Sequence, residues 1–273
     1  MISQQVRRFT AALTAFVLLG MHQSAHAQDP KPMSLTVEQA KEIVAGKNVE
    51  LLQSVTELSV DVAQVLSQYS KSDLRLPRVQ TITPEVAKAL VQTRVTLSLG
   101  LRTITPEVAR ALATRPKGML ALDGLDKISV EVARELAQFR GKLTLNGLRT
   151  LSREVAIELA KHRSKFTLFG LTEISDEAAE ALSHHGSTML LNGLTKLTSA
   201  PLTTTMLKSN DGFLNLSKVQ TLSDDVVQVF AEYQGSRPIR LTGLTELSEA
   251  NAARLRANPN IVLPSKFQKA EQQ

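Results

Sequence analysis

Two consecutive segments decide the fold of this chain: Ile128-Ser-Val-Glu-Val-Ala-Arg-Glu-Leu-Ala137 and Lys142-Leu-Thr-Leu-Asn-Gly-Leu148. The pair returns 23 residues later as Leu151-Ser-Arg-Glu-Val-Ala-Ile-Glu-Leu-Ala160 and Lys165-Phe-Thr-Leu-Phe-Gly-Leu171. A steady period of this length predicts a solenoid of about ten repeats. The apolar residue that opens each repeat, spaced by 22 to 25 residues, is Leu35, Leu58, Ile82, Ile104, Ile128, Leu151, Ile174, Leu197, Leu222 or Leu247.

The first segment of each repeat predicts a short helix. A Ser or Thr follows the opening residue in most repeats, where its hydroxyl caps the first turn, and Pro84 and Pro106 occupy the first helical position. Glu131 and its equivalents place negative charge at the positive end of the helix dipole. Val132, Ala133 and their equivalents form one apolar stripe, so each helix is expected to be buried on one side.

The second segment predicts a strand that ends in a turn. Leu143 and Leu145 alternate with polar residues, as expected for a strand with one buried face. Gly147 and its equivalents are expected to supply the backbone freedom that the turn needs. One strand and one helix per repeat predict an α/β repeat solenoid with a parallel sheet.

This pattern resembles leucine-rich repeats, particularly divergent exported bacterial forms. The resemblance covers Leu35 to Leu263 and implies a curved ladder of short parallel strands and short helices. The family usually places Asn, Cys or Thr three residues after the second strand leucine. This chain has Leu125, Leu148, Leu171 and Leu194 there, so a polar ladder is expected to be absent and backbone bonds or glycine geometry must close the turn.

The two ends of the chain differ in composition from the repeats. Residues 1–27 predict a secretory signal peptide, with Arg7 and Arg8 before an apolar run and Ala25-His-Ala27 as the cleavage site. Export to the periplasm or outside the cell is therefore expected, with no membrane span in the mature chain. Residues 28–34 are a short lead-in, and the polar residues 264–273 predict a disordered tail.

The eighth repeat departs from the pattern. Pro201 and three consecutive threonines follow Leu197, which predicts a bend or an irregular turn in place of a regular helix. Drift in a tolerant repeat explains this segment, and a hinge or binding loop is the alternative.

Motifs for catalysis are lacking. The sequence has no nucleophile motif, phosphate-binding loop or metal-ligand spacing, so we expect neither an enzyme nor a cofactor. Beyond the leader the only histidines are His162, His184 and His185, and the last two are expected to be solvated at a helix C-terminus. The formal charge of +6 is spread among interspersed acidic residues, which argues against a nucleic-acid partner.

One part of the predicted sheet face is distinctive. Phe169 and Leu190 are large apolar residues at positions predicted to face water, near Thr167 and between the amides of Asn146 and Asn192. Such a patch is typical of sites that bind a peptide or stack a sugar ring. Alternatively, the apolar residues are isolated and the asparagines serve only their turns.

These features together predict an exported, non-catalytic protein that recognises a protein or glycan through its repeat surface. A structural or self-assembling component of the cell envelope is the alternative. The sequence leaves the oligomeric state open.

Overall fold

Helices and strands alternate along the chain in the computed structural model, which describes residues 33–208 and 214–268. The predicted signal peptide and residues 28–32 of the lead-in lie outside the described residues. The α-helices are α1 Val37–Val44, α2 Val60–Leu66, α3 Pro84–Leu90, α4 Pro106–Ala113, α5 Val130–Leu136, α6 Arg153–Ala160, α7 Asp176–Ser183, α8 Ala200–Lys208, α9 Asp224–Ala231 and α10 Glu249–Arg256. The strands are β1 Leu74–Leu76, β2 Leu97–Leu99, β3 Met119–Ala121, β4 Lys142–Thr144, β5 Phe166–Thr167, β6 Met189–Leu190, β7 Lys196–Leu197, β8 Thr221–Leu222, β9 Ile239–Arg240 and β10 Ile261–Val262.

Consecutive strands pair in parallel. Strands β1 to β6 form one sheet in chain order, while β7 pairs with β8 and β9 pairs with β10. Consecutive helices pack against one another in the same order. The described residues therefore form an α/β repeat fold, as the sequence predicts, with strands near Leu120, Leu143, Phe166 and Met189.

The helices begin at the predicted caps. In α5 the Ser129 hydroxyl accepts a hydrogen bond from the Val132 N–H at 3.3 Å, which satisfies one of the free amides of the first turn. The same bond is made by Thr36, Ser59, Thr83, Thr105, Ser152, Ser175, Ser223 and Ser248.

The eighth repeat is more regular than predicted. Helix α8 runs for nine residues, so the expected bend is wrong. The cap is Ser199, one position later in the repeat than in the other helices, and its hydroxyl accepts a hydrogen bond from the Leu202 N–H at 3.3 Å. Pro201 consequently falls in the first turn, where no intrahelical partner exists for an N–H and its absence costs nothing.

The core lies between the sheet and the helices. Leu143 pairs in register with Leu120 and Phe166, and this column of side chains is fully buried. Val132 and Ala133 and their equivalents bury the facing side of the helices, as predicted. Apolar burial at about 25 cal/mol per Å² stabilises helices that are too short to persist alone.

The recurring turn glycine serves close packing of consecutive repeats, not the unusual backbone angles that the sequence suggested. Among the described residues, only Gly46 and Gly118 are glycines with positive φ. A Cβ on Gly170 would lie 2.2 Å from the Asn146 carbonyl oxygen, and one on Gly193 would lie 2.1 Å from that of Phe169. Backbone from one repeat thus occupies the space that a side chain on the next would need.

One residue in each helix-to-strand turn points inward, and these residues form what we call the turn column. In each of them the backbone N–H donates to the carbonyl three residues back, at the end of the helix. All except Tyr233 are buried. The described members are Tyr69, Thr93, Arg115, Phe139, His162, His185, Tyr233 and Asn258.

The turn column places two histidines inside the protein. His162 and His185 are buried and stack in parallel with ring centroids 6.5 Å apart, and Phe139 stacks on the other side of His162. The prediction of a solvated residue is therefore wrong for His185, because the chain has already turned inward at that position. His184 is exposed, and its Nδ1 lies 2.9 Å from the Glu180 carbonyl oxygen.

Burial sets the charge state of this pair. It lowers the pKa of both His162 and His185 below the ordinary value of 6.5, because a charged imidazole loses its hydration there. His185 is lowered further by His162. Both rings are therefore neutral in the folded protein at neutral pH.

We expect the protein to lose stability as the pH falls below 6.5. Below pH 6.5 the unfolded chain takes up protons on both histidines, whereas the folded chain does not. The free energy of unfolding therefore decreases as the pH falls from 6.5 to the lowered pKa of the folded state. Urea unfolding between about pH 7 and pH 5 measures the slope. The variant H162F/H185F should show a shallower slope, whereas H184Q should match the wild type, and equal slopes in all three proteins would contradict this account.

The two ends of the described chain differ from the repeats between them. A 3-10 helix, Val49–Gln53, stands where the first repeat would place its strand. The predicted disordered tail is wrong at residues 264–268, because Ser265–Phe267 forms a 3-10 helix and the Phe267 carbonyl accepts from the Arg256 guanidinium at 3.1 Å. Residues 269–273 lie outside the described residues. No helix within residues 33–208 or 214–268 has the length and apolar character to cross a membrane.

Candidate functional site

A groove of about 460 Å³ crosses the face of the six-stranded sheet that points away from the helices. We call it the sheet-face groove. It is built from side chains at the start, middle and end of consecutive strands, which stand about 4.8 Å apart. Its lining includes all five residues that the sequence selected: Asn146, Thr167, Phe169, Leu190 and Asn192.

Phe169 is the outstanding side chain of this groove. It is 39% exposed, and among the described residues it is the one large hydrophobic side chain that is exposed. It lies two residues after the end of β5, and the next residue, Gly170, packs on the preceding repeat. The predicted exposure of Phe169 is confirmed.

Leu190 and Thr167 are not the exposed residues that their strand positions predicted. Leu190 is 4% exposed and Thr167 is 2% exposed. Both belong to the middle row of the sheet face, where Thr144, Thr167 and Leu190 pair in register. At a strand spacing of about 4.8 Å, neighbours on both sides cover side chains of this size. Leu190 and Thr167 therefore form the floor of the groove.

The asparagines hold consecutive repeats together. Asn146 Oδ1 accepts hydrogen bonds from the Phe169 N–H (3.0 Å) and the Thr167 hydroxyl (2.9 Å). The Asn146 N–H in turn donates to Asp123 Oδ1 at 2.9 Å, and Asn192 Oδ1 accepts from the Asn215 N–H at 3.2 Å. The expectation that this chain lacks a polar ladder is therefore wrong at the residue before the glycine, where Asp123, Asn146 and Asn192 bond to the next repeat and Phe169 interrupts the series. It holds for the buried leucine position. There the backbone closes the turn, for example from the Leu148 N–H to the Leu145 carbonyl (3.2 Å).

Several polar groups of the groove were not selected from the sequence. Lys142 and Lys165 line it at the start of two strands, and their place could have been found by counting two residues back from each middle-row threonine. The Thr144 hydroxyl is buried and has no hydrogen-bond partner among the described residues. At the far end, the Arg75 guanidinium and then the Thr96 hydroxyl hold the pKa of Asp73 below its usual range, so this carboxylate is charged.

A larger groove of about 810 Å³ lies on the helix side, between α6 and α7. It is lined by Ile157, which occupies the position where the two preceding helices have an arginine paired with the next helix. Arg110 reaches Glu135 at 2.7 Å and Arg134 reaches Glu158 at 3.5 Å, whereas Ile157 makes no such bond. None of the sequence-selected residues lines this helix-side groove.

The sheet-face groove brings an exposed aromatic ring together with polar and charged side chains. Within the part of the chain that the structure describes, no three His, Cys, Asp or Glu side chains lie close enough together to hold a metal ion. The groove offers one aromatic face, hydroxyl and amide groups, three cations and two carboxylates; the cations are Arg75, Lys142 and Lys165, and the carboxylates are Asp73 and Asp123. Neither a scan against protein-family models nor a search of curated proteins gives a match for this chain.

Proposed function

We propose that this protein is an exported, non-catalytic binding protein that recognises a protein or glycan through the sheet-face groove. The observation that carries the proposal is the exposed ring of Phe169, set among hydrogen-bonding groups. An aromatic face takes up a sugar ring or an apolar side chain, and nearby polar groups fix its orientation.

The floor and walls of the groove support this proposal. Asn146 uses its amide oxygen to bind Thr167 and Phe169, while its amide nitrogen has no partner among the described residues and is available to a ligand. The Thr144 hydroxyl is a second polar group whose hydrogen-bonding capacity is unused. Buried polar groups without partners are costly, so a ligand that satisfies them gains affinity.

We also propose that the α/β repeats form a leucine-rich-repeat-like solenoid of about ten repeats. The regular order β1 to β6, the repeated Ser or Thr caps and the glycines packed on the preceding repeat support it. The signal peptide predicted at residues 1–27 supports a location of this surface in the periplasm or outside the cell.

The variant Phe169→Ser is expected to abolish ligand capture while leaving the fold intact, because the exposed ring contributes little to the core. Purified wild-type protein and F169S are compared on a glycan array and in capture from an envelope fraction, with circular dichroism as the check of folding. Leu190, which the sequence would pair with Phe169 in this test, is left unchanged because its burial makes L190S a folding variant.

The control for F169S is Ile157→Ser, which makes the same kind of change in the helix-side groove. It should capture ligand as well as the wild type does. Loss of capture in I157S but not in F169S would move the site to the helices. The structural envelope role would be favoured by a different result. In that case the purified protein self-associates on size-exclusion chromatography and captures no ligand in a manner that depends on Phe169.

A further inference from the structure

A row of basic side chains runs along the edge where helices end and strands begin. Five consecutive helix-to-strand turns each contribute one exposed cation, and we call this row the basic edge. Its members are Lys71, Arg94, Lys117, Arg140 and Arg163. In the same five turns the one carboxylate is Asp73, which is paired with Arg75 at 3.0 Å.

These cations are unpaired in the part of the chain that the structure describes. None of the five forms an ion pair or side-chain hydrogen bond with another described residue. On the helix side, by contrast, Arg110 and Arg134 reach carboxylates on the next helix. Compensation of the helix dipole does not explain the row, because its members lie three to five residues beyond the last helical residue and that effect is confined to the last turn.

The opposite edge of the repeats is electrically balanced. Arg102, Lys127 and Arg149 lie there, in the strand-to-helix turns, close in sequence to the glutamates that begin each helix. The backbone N–H groups of the first turn lower the pKa of Glu107 and Glu131, so these carboxylates are charged. Only the helix-to-strand edge therefore carries a continuous positive charge.

A cavity of about 530 Å³ opens on the basic edge between two of its members. Arg94 and Lys117 line it together with Thr93. Thr93 is buried, and its hydroxyl has no hydrogen-bond partner among the described residues. Two cations beside one cavity suit a carboxylate or sulfate group.

The basic edge is continuous with the sheet-face groove. Lys142 and Lys165, which line the groove, come two residues after Arg140 and Arg163. Phe169 follows Lys165 by four residues, about 13 Å along an extended chain. A single ligand that spans the strands thus meets positive charge at their start and an aromatic face at their end.

We propose that the ligand is an acidic polysaccharide whose charged groups lie along the basic edge and whose chain then turns past Lys165 along β5, so that one sugar ring stacks on Phe169. This inference rests on the proposed function and names its ligand class. The edge presents one cation for each strand, at a pitch of about 4.8 Å, which is close to the length of one sugar ring in a chain.

Two other polyanions fit the surface less well. A single-stranded nucleic acid needs several exposed aromatic side chains for successive bases, and the described surface exposes Phe169 alone. An anionic membrane is a plane and favours a broad basic face, whereas these cations form one row.

The test measures binding of an alginate oligosaccharide by calorimetry at low and moderate salt, with neutral dextran as the uncharged probe. The wild type should bind alginate and not dextran, with affinity that falls as salt rises. The edge variant R94S/K117S/R140S should lose affinity by about tenfold or more, because three contacts to the ligand are removed. The control R102S/K127S/R149S removes the same charges from the opposite edge and should stay within about twofold of the wild type.

Other outcomes would overturn the proposal. Equal losses in the edge variant and the control would show a nonspecific charge effect. Tighter binding of oligothymidylate or of phosphatidylglycerol vesicles than of alginate would replace the polysaccharide with that ligand. Binding of a neutral glycan or a protein that depends on Phe169 but not on the basic edge would overturn the acidic ligand and leave the proposed function standing. If no probe binds in a manner that depends on Phe169, both proposals fail.

Discussion

Replacing Phe166 with Ala is expected to lower the free energy of unfolding by about 3–5 kcal/mol, the range for a fully buried phenylalanine. Phe166 pairs in register with Leu143 and Met189 in the buried column of the sheet. Its ring meets His185 edge-on, with centroids 4.5 Å apart, and His162 at 6.1 Å. Removing it opens a cavity between sheet and turn column that rigid neighbours on both sides cannot fill.

The matched control for F166A is Phe169→Ala, the same change three residues along the chain. Because Phe169 is 39% exposed and buries only part of its ring, this variant should lose about 1–2 kcal/mol, well below the loss in F166A. Urea unfolding followed by circular dichroism measures both variants. Similar losses in the two would mean that Phe169 belongs to the core, which would also remove the basis for its role in binding.

Replacing Gly170 with Ala is the second large effect, with an expected loss of about 1–3 kcal/mol or more. The added methyl group would lie 2.2 Å from the Asn146 carbonyl oxygen and 2.9 Å from that of Leu148. Both obstacles are backbone atoms of the preceding repeat, so relief requires consecutive repeats to separate. Such a separation also strains the bond from the Phe169 N–H to Asn146 Oδ1.

The control for G170A is Gly186→Ala. A Cβ at Gly186 has no atom within 4 Å, and its φ is not in the left-handed region. This variant should be neutral or gain about 0.4–1 kcal/mol from a less flexible unfolded chain. Thermal unfolding of the two variants distinguishes a clash with the preceding repeat from a need for backbone freedom alone. If Gly170 were needed only for backbone freedom, G170A would lose as little stability as G186A.

The elements of this fold could be predicted because their signals are local. A Ser or Thr cap, an acidic first turn and an apolar stripe all lie within one helix, and they identified the start of α5 and its equivalents correctly. The alternation of Leu143 and Leu145 did the same for the strands. Pro201 led to the wrong prediction of a bend, because the cap of α8 lies one position later, at Ser199. This places the proline in the first turn, where it breaks no intrahelical hydrogen bond.

Features that depend on the neighbouring repeat could not be predicted in the same way. Leu190 was placed on the correct face, but its burial depends on side chains of adjacent strands. His185 follows an exposed His184 in sequence, and only the inward turn of the backbone separates their environments. Phe169 was found because it is an apolar residue at an outward position, whereas the basic edge is spread over five turns and becomes visible only when the turns are superimposed.

The order in which the repeats pair has a consequence for how the chain folds. Each strand of the six-stranded sheet forms hydrogen bonds with the strand of the next repeat, and each helix packs mainly against its neighbours in the chain. Most contacts therefore link residues about one repeat apart, so little loop-closure entropy opposes their formation. For the solenoid that we propose, folding is expected to begin wherever two repeats first pack together and to spread in both directions, because each folded repeat offers a surface on which the next can fold.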